Sequence, residues 1–466
     1  MKILMVTIGY PPQQTGGTEV YVAGLVGELE RRGHECAIAY VEEVDDASAP
    51  PIGVGRRDTS STPVHVVQVN RRSFRMERLS SNAPLRRGLL SAFREVVRVA
   101  APDLVHVHPL RLGLESHVIE MLDVEGIPTV LTFHSSTTTC ARGDLVHRGR
   151  EVCDGVIRQA RCTSCSIEAK GVSASVAAIA ARVPVPVCRA VSAALAPFES
   201  IPLMRRARSA AAIPLTIVEQ KRSWSRATEH AARVVAVCDW VGEVAAANGV
   251  PHDKLVKSRH GHRLAGDATT GPRFGRARFG YLGRISNEKG ISVLVDALRQ
   301  LPADLAFDFE FCSATFTSLT RRSEDAPLVE AIERLASDDA RVRILDQVTD
   351  AELPSVLSRW DALVVPSLWL ESGPQVIYEA FAVHTPVIGS RRGGIAELVA
   401  DGRTGVLVEP GNASALASVL AEGAERPDRL RALRANITPV RTVSDVTDDM
   451  LATYRAVLGA RETQLA

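Results

Sequence analysis

Residues 362–381 read ALVVPSLWLESGPQVIYEAF, and they decide what kind of sheet this chain builds. The unbroken apolar run 362–365 is a buried strand, 366–373 the loop at its carboxyl end, and Gln375 the opening of a helix. Ser372 with Gln375 three positions later makes a capping-box start, and Pro374 suits the first helical turn. A strand running into a helix in this way aims free backbone amides at the crevice beyond a parallel sheet. Such a helix end attracts phosphate, Glu371 just before it accepts from hydroxyls, and Glu379 sits in the helix near the same end. Phosphate beside hydroxyls points to a nucleotide-sugar.

Taken singly, each glutamate reads as a solvated charge at a helix end. Their company gives them weight. Upstream, 279–282 reads as a strand running into GRISNEKG (283–290), which sets Arg284 and Lys289 in a glycine-bounded loop before a helix over 291–301. Two cations there clamp a pyrophosphate. At the start of the chain, 1–40 reads as a buried strand, a loop with Gly16 and Gly17, a helix and a second strand, and adjacent glycines let a ligand approach the backbone. Strand and helix alternate in both halves, which predicts an α/β protein with doubly wound parallel sheets and sites at the carboxyl ends of the strands.

The motifs TGGTEVYV (15–22), DLVHVHP (103–109), TVLTFH (129–134), VVAVCDWV (234–241), GRISNEKG, the Glu-x7-Glu segment and TPVIGSRRGGIAELV (385–399) occur in this order. In order and spacing the chain resembles the family 4 retaining glycosyltransferases of GT-B fold, in which two Rossmann-like doubly wound parallel-sheet domains face a central cleft. The resemblance implies that a hexose-type sugar passes from a nucleoside-diphosphate sugar to an acceptor hydroxyl in glycan, exopolysaccharide or glycolipid synthesis. It makes Glu379 the holder of the ribose hydroxyls and Glu371, with His134, the groups at the transferred sugar. Gly373, Gln375 and Val376 join them at the donor, Arg284 and Lys289 neutralise the leaving diphosphate, and Gly16 and Gly17 add amides from the first domain. His108 is expected to be structural. The leaving phosphate itself is expected to take the acceptor's proton.

No Asp-x-Asp pair sits at a suitable strand end, and Asp45 and Asp46 read as solvated, so transfer is expected to need no metal cofactor. Where the family favours glycine this chain has His384 and Asp346, where it favours Asn-Gly it has His260 and Gly261, and Pro374 removes one amide. The strand 307–312 runs into SATFTS instead of a glycine-rich turn. These departures keep a catalytically silent nucleotide-sugar sensor or accessory subunit in view as an alternative. A sugar-nucleotide 2-epimerase or a phosphorylase shares the architecture, but nothing marks a pyridoxal-bearing lysine. A nicotinamide dehydrogenase is disfavoured because no Gly-x-Gly-x-x-Gly joins the first strand to its helix.

A chain of 466 residues holds two domains of ordinary size. The expected division is an acceptor-binding domain over 1–264, a linker GDATTGPRFGRA (266–277), a donor-binding domain over 278–436, and a last helix over 446–466 packing back on the first domain. Within the first domain, Cys140, Cys153, Cys162 and Cys165 lie in an insertion over about 138–170 and end in a Cys-x2-Cys. In a reducing compartment this set is a candidate structural zinc site. Cys36, Cys188, Cys238 and Cys312 read as buried small hydrophobes.

Nothing at the N-terminus reads as a secretory leader and no apolar run reaches about eighteen residues, so a cytoplasmic protein is expected. The net charge of +1 hides a basic helical segment over 170–226, with nine Lys/Arg against Glu199 and Glu219, and a second basic stretch over 71–98. Both interleave arginine with small apolar residues, a makeup that can lie on an anionic membrane or simply face solvent. Nucleic acid is not an expected partner, because the basic residues are not interleaved with aromatics and the chain is only 5% aromatic.

Overall fold

The structure is a computed structural model and describes residues 1–13, 16–57, 62–73, 83–110, 113–198, 200–264, 275–313, 316, 325–345 and 348–465, the side chains as far as 461. Most of the linker 266–277, most of SATFTS, Asp346 and 74–82 of the second basic stretch lie outside these residues. The chain divides into two compact units, Met1–Ser258 with Thr447–Ala466, and Arg259–Val446.

The first unit is built on β1 (Lys2–Val6), β2 (Glu35–Val44), β3 (Ile52–Arg57), β4 (Val64–Asn70), β5 (Leu104–Val107), β6 (Thr129–Phe133), β9 (Arg233–Ala236) and β10 (Leu255–Lys257), with a small hairpin β7 (Val146–His147) and β8 (Glu151–Val152) set apart. The sheet order is β10-β9-β6-β5-β1-β2-β4-β3. Every pairing is parallel except β3 with β4, so the sheet carries one antiparallel edge strand, a common addition to doubly wound sheets. β1 is buried along 3–6, as a strand covered by helices on both faces must be. Strand order reverses between β1 and β5, and the loops that follow these two strands lie where a doubly wound sheet opens for ligands.

The second unit holds β11 (Ala277–Leu282), β12 (Phe307–Cys312), β13 (Val342–Leu345), β14 (Ala362–Val365), β15 (Val387–Ser390) and β16 (Gly405–Val408), all parallel, in the order β13-β12-β11-β14-β15-β16. Counted from β11 this is the 3-2-1-4-5-6 order of dinucleotide-binding folds, with its switch point between β11 and β14. Phe279, Phe307, Phe309 and Phe311 pack fully buried on one face of the sheet, and Trp360, Leu363 and Ile377 on the other.

The last helix runs Val443–Leu465, longer than expected, and Tyr454 from it reaches His106 in the first unit's sheet. Residues 259–264, expected in the first domain, fall in the second unit. There His262 bridges to Thr442 and His260 holds the Gly373 carbonyl, and those contacts decide their allegiance. Among the described residues no single helix is long and apolar enough to cross a membrane.

Candidate active site

At the switch point of the second unit, the loops after β11 and β14 are locked together. Gly290, at φ +73, ends the first of them, and a Cβ there would come within 1.9 Å of the Pro366 carbonyl oxygen in the second. Only glycine combines that left-handed backbone with so close an approach. The Leu368 amide also donates to the Glu288 carbonyl at 2.8 Å. The loop after β15 closes the third side: the Gly394 amide donates to the Glu371 carbonyl, and a Cβ on Gly394 would meet that oxygen at 2.7 Å.

Two of the sequence-predicted residues meet inside this frame. Lys289 Nζ donates to Glu371 Oε1 at 2.6 Å, with the Lys289 side chain 22% and the Glu371 side chain 8% exposed. Ser367 Oγ donates to the same carboxylate oxygen at 2.8 Å, and the Lys289 ammonium lies 5.6 Å from the centre of the Trp369 ring. Burial alone would raise the Glu371 carboxyl, but the neighbouring ammonium and these hydrogen bonds hold it below the usual carboxylate range. Arg284 is exposed, and its carbonyl accepts from the Tyr281 hydroxyl at 2.5 Å. Arg284 and Glu371 both act on the Tyr281 hydroxyl electrostatically, which places the two charges around one ring.

The helix after β14 runs Gln375–Ala382, opening at the expected residue but without the expected cap. Pro374 occupies the capping position and no side chain caps the helix, so Ser372 does not form a capping box. The reason is register. The cap lies one residue before the first helical residue, and the proline there has no side-chain acceptor. The amides of Gln375 and Val376 are therefore left for other acceptors, while Ile377 donates back to the Pro374 carbonyl. Gly373, at φ +142, leads into this turn, and its carbonyl accepts from His260 Nδ1 at 2.9 Å. Burial lowers the His260 pKa, which favours the neutral ring, and the carbonyl acceptor selects its Nδ1–H form.

Glu379 is buried on the same helix, and no described residue donates a hydrogen bond to its carboxylate. Burial pushes its carboxyl up to about 7, with Arg263 pulling it down and Asp350 pushing it further up. Arg263 and Asp350 themselves pair at 3.2 Å. His384 sits at φ +56 just past the far end of the helix, which explains why a glycine is favoured there. It is a backbone position about 12 Å from the Gln375 and Val376 amides, so its departure from the family pattern does not bear on them.

In the first unit, β5 and β6 deliver a histidine cluster at the other switch point. His106 and His108 share one face, their ring centres 4.2 Å apart. His108 Nδ1 lies 2.8 Å from His134 Nε2, and Tyr21 meets the His134 ring edge-on at 4.9 Å. His106 is tied to Thr132 Oγ1 and to the Tyr454 hydroxyl, both at 2.6 Å. Burial, with His106 and His134 beside it, drives the His108 pKa far down, so His108 is a neutral strut that fixes the His134 ring. Gly16 caps the helix Gly17–Arg31, and a Cβ on it would meet Glu19 Oε2 at 2.5 Å, so a carboxylate of the chain already lies over that side of the helix end. Space around Gly17 is open.

Cys140, Cys153, Cys162 and Cys165 line one cavity of about 30 Å³ between the β7–β8 hairpin and the helix Gln159–Glu168, all as free thiols. The Arg148 amide donates to Cys165 Sγ at 3.2 Å. Among the described residues no three His, Cys, Asp or Glu side chains stand as a ready-made metal site. Asp45 and Asp46 are exposed, the former paired with Arg72 and the latter accepting from Ser48. Cys36, Cys188, Cys238 and Cys312 are buried.

Sequence reasoning missed Ser367, Arg263 and the Gly393–Gly394 pair as parts of the site, and marked His260 only as a departure from the family pattern. The double glycine in RRGG was a visible signal for the pair.

Two family models match the chain: glycosyl transferases group 1 over 276–426, and glycosyltransferase family 4 over 15–162. Glycogen synthase of Mycobacterium tuberculosis strain H37Rv is 33% identical over 173 residues, 36% of this chain and 39% of that protein. The match thus spans about two fifths of that relative. Alpha-maltose-1-phosphate synthase of Mycolicibacterium smegmatis is 25% identical over 441 residues, 92% of each chain. Among solved structures, Anabaena HepE in complex with UDP-glucose superposes with a TM-score of 0.59 at 16% identity, over 98% of this chain and all of that one. The chain belongs to the family 4 glycosyltransferases and has the GT-B fold.

Proposed function

We propose that this glycosyltransferase moves a hexose-type sugar from a nucleoside diphosphate to an acceptor hydroxyl, with retention at the anomeric carbon and without a divalent cation. The observation that carries the reading is the 2.6 Å pairing of Lys289 with Glu371 on the loops that lead to an uncapped helix N-terminus. In a sugar nucleotide the hexose is joined directly to the outer phosphate, so a cation for the phosphate and a carboxylate for the sugar hydroxyls must be neighbours. The complexes of HepE with UDP and with UDP-glucose support the same donor class.

In this mechanism the Gln375 and Val376 amides and the Arg284 and Lys289 side chains receive the diphosphate, whose negative charge grows as the bond from C1 to the phosphate oxygen breaks. Glu371 accepts from hydroxyls of the hexose. Glu379 lies four residues, about 6 Å, along the helix from Gln375 and accepts from the ribose hydroxyls. His134, its ring fixed by His108 and Tyr21, serves the transferred sugar. The acceptor oxygen bonds C1 on the face the phosphate leaves, and a phosphate oxygen takes its proton. Gly17 offers a further amide to the phosphates, whereas Gly16 would do so only with Glu19 displaced.

A panel of nucleotide-sugars identifies the donor by the rise in melting temperature. With it, Glu379→Ala should weaken donor binding, His134→Ala should lower turnover, and excess chelator should change neither. Intact binding and turnover in both variants would sink the site assignment, and loss of activity in chelator would sink metal independence.

The four thiols around the 30 Å³ cavity are proposed as the ligands of one structural zinc, which would draw the sulfurs inward to about 2.3 Å from the ion and pin the segment following His134. Elemental analysis of protein purified without chelator should find about one zinc per chain. A metal-free protein of full stability would end the idea.

A further inference from the structure

Of the eleven large apolar side chains exposed among the described residues, eight fall between 176 and 203: Val176, Ile179, Val183, Val187, Val191, Phe198, Ile201 and Leu203. They stand on the helices Ala174–Ala180 and Val185–Ala194, on the turn after them and on the start of the long helix Pro202–His230. So tight a concentration marks a surface that another phase or molecule covers. The first two helices together are as long and apolar as a membrane span, but they meet at 99°, a bend that favours lying in an interface over crossing it.

Charge identifies what covers this surface. From 170 to 218 the sequence has six cations, Lys170, Arg182, Arg189, Arg205, Arg206 and Arg208, and a single acid, Glu199. Directly behind the apolar surface lies a cavity of about 1100 Å³, whose wall includes Arg142, Arg189, Arg205, Arg208 and Arg222 against only Glu115 and Glu219. Burial raises the Glu115 carboxyl to about 7, which weakens the negative side further. The helix Val185–Ala194 is the partition: Val185, Arg189 and Ser192 line the cavity. Val187 and Val191, on the opposite face by helical spacing, are 48% and 42% exposed. Apolar side chains outside with arginines behind them fit a surface of acyl chains topped by phosphate. A neutral protein partner would have no use for the arginines.

We propose that 174–208 docks on an anionic bilayer, its apolar side chains among the upper acyl carbons and lipid phosphates entering the arginine-lined cavity. The proposal deepens the glycosyltransferase reading by placing the acceptor at a membrane, since the cavity wall includes Phe133, the residue before His134. The docking itself needs no donor and stands or falls separately.

The full chain is floated with vesicles of phosphatidylcholine alone and of phosphatidylcholine with phosphatidylglycerol, at low and high salt. Binding is expected to the anionic vesicles and to weaken with salt. Ile179→Asp with Leu203→Asp, both exposed positions, should lower it about tenfold or more while melting temperature and donor hydrolysis stay unchanged. Arg205→Ala with Arg208→Ala should remove the preference for phosphatidylglycerol, and hydrogen exchange should slow over 174–208 on the vesicles. Equal binding to both vesicle types, or undiminished binding by the aspartate variant, overturns the proposal. So does light scattering that shows a dimer split by the same substitutions, which would assign the surface to a second copy. Vesicle binding without turnover of any nucleotide-sugar would instead count against the catalytic reading alone.

Discussion

Replacing Glu379 by glutamine separates what its carboxyl does for the donor from what it costs the fold. The side chain is buried, and its carboxyl rises from an ordinary 4.5 to about 7, chiefly by desolvation. A carboxyl raised in the folded state supports folding in its protonated form. Its contribution is whole below about pH 4.5 and is lost as pH climbs through 7, and the difference between the two values corresponds to about 3 kcal/mol. Glutamine stays neutral throughout. The advantage of Glu379→Gln over the parent should therefore grow by about 3 kcal/mol between pH 4.5 and 8, a widening gap of roughly 6–12 °C in the melting temperature of the second unit. Calorimetry of both proteins over that range, without nucleotide, gives the comparison, and any constant effect of the amide cancels in it. A saturating nucleotide-sugar should narrow the gap at pH 8, because ribose hydroxyls donate to the ionised carboxylate and have no such acceptor in the variant. Donor affinity of the parent should correspondingly rise through pH 7. Parallel melting curves across the range would mean that Glu379 is already solvated or paired, and the ribose assignment would go with it.

The Gly290→Ala variant should destabilise the second unit by about 2 kcal/mol or more and abolish donor-induced stabilisation, because its Cβ is set against the Pro366 carbonyl; Gly402→Ala, equally left-handed at φ +71 but in open space, is the control, expected to cost about 1 kcal/mol. Lys289→Met should cut turnover by about 10²–10³-fold and move the acid limb of the pH–rate profile upward, since Glu371 stays buried without its cation; an unmoved limb would show that the pair is incidental. His108→Leu should lower turnover about tenfold or more with donor binding unchanged, as the His134 ring loses its 2.8 Å partner, and turnover at the parental rate would remove His108 from any supporting role.

The strands that carry the site could be read from the chain because they are buried on both faces: Ala362–Val365 is a continuous apolar run, and Thr129–Phe133 joins apolar residues to β-branched threonines, all buried. The loops that follow them were readable as places but not as contacts. Lys289 was expected at a diphosphate and Glu371 at a sugar, and only the packing of Gly290 under Pro366 shows that the two side chains meet. His260 stood out only as a departure from the family pattern, and its bond lay beyond reach, since its partner, Gly373, is more than a hundred residues away and the bond is to a backbone carbonyl with no sequence signature. The capping box failed for a local reason, because a helix that begins at Gln375 puts its cap at Pro374, two residues past Ser372. The basic segment 170–226 was visible as charge, whereas the apolar surface beside it was not. The alanine and valine interleaved there left a membrane-lying and a solvent-facing helix both open until the fold leaves their outer face uncovered.

The pairing of Lys289 with Glu371 bears on how the donor enters. An ammonium has three protons, and one is spent on Glu371 Oε1, so Lys289 can donate to a phosphate without releasing the carboxylate. Glu371 remains ionised, held by Lys289 and Ser367, so it arrives at the sugar as an acceptor. Glu379 is in a different condition, buried with its carboxyl raised to about 7, so near neutral pH it is only partly ionised until hydroxyls come to solvate it. One carboxylate is therefore prepared before the donor arrives and the other is completed by it. Binding energy from the nucleoside end is spent on ionising Glu379, while the sugar end meets groups already in their working state, which concentrates preorganisation where charge develops in the transition state.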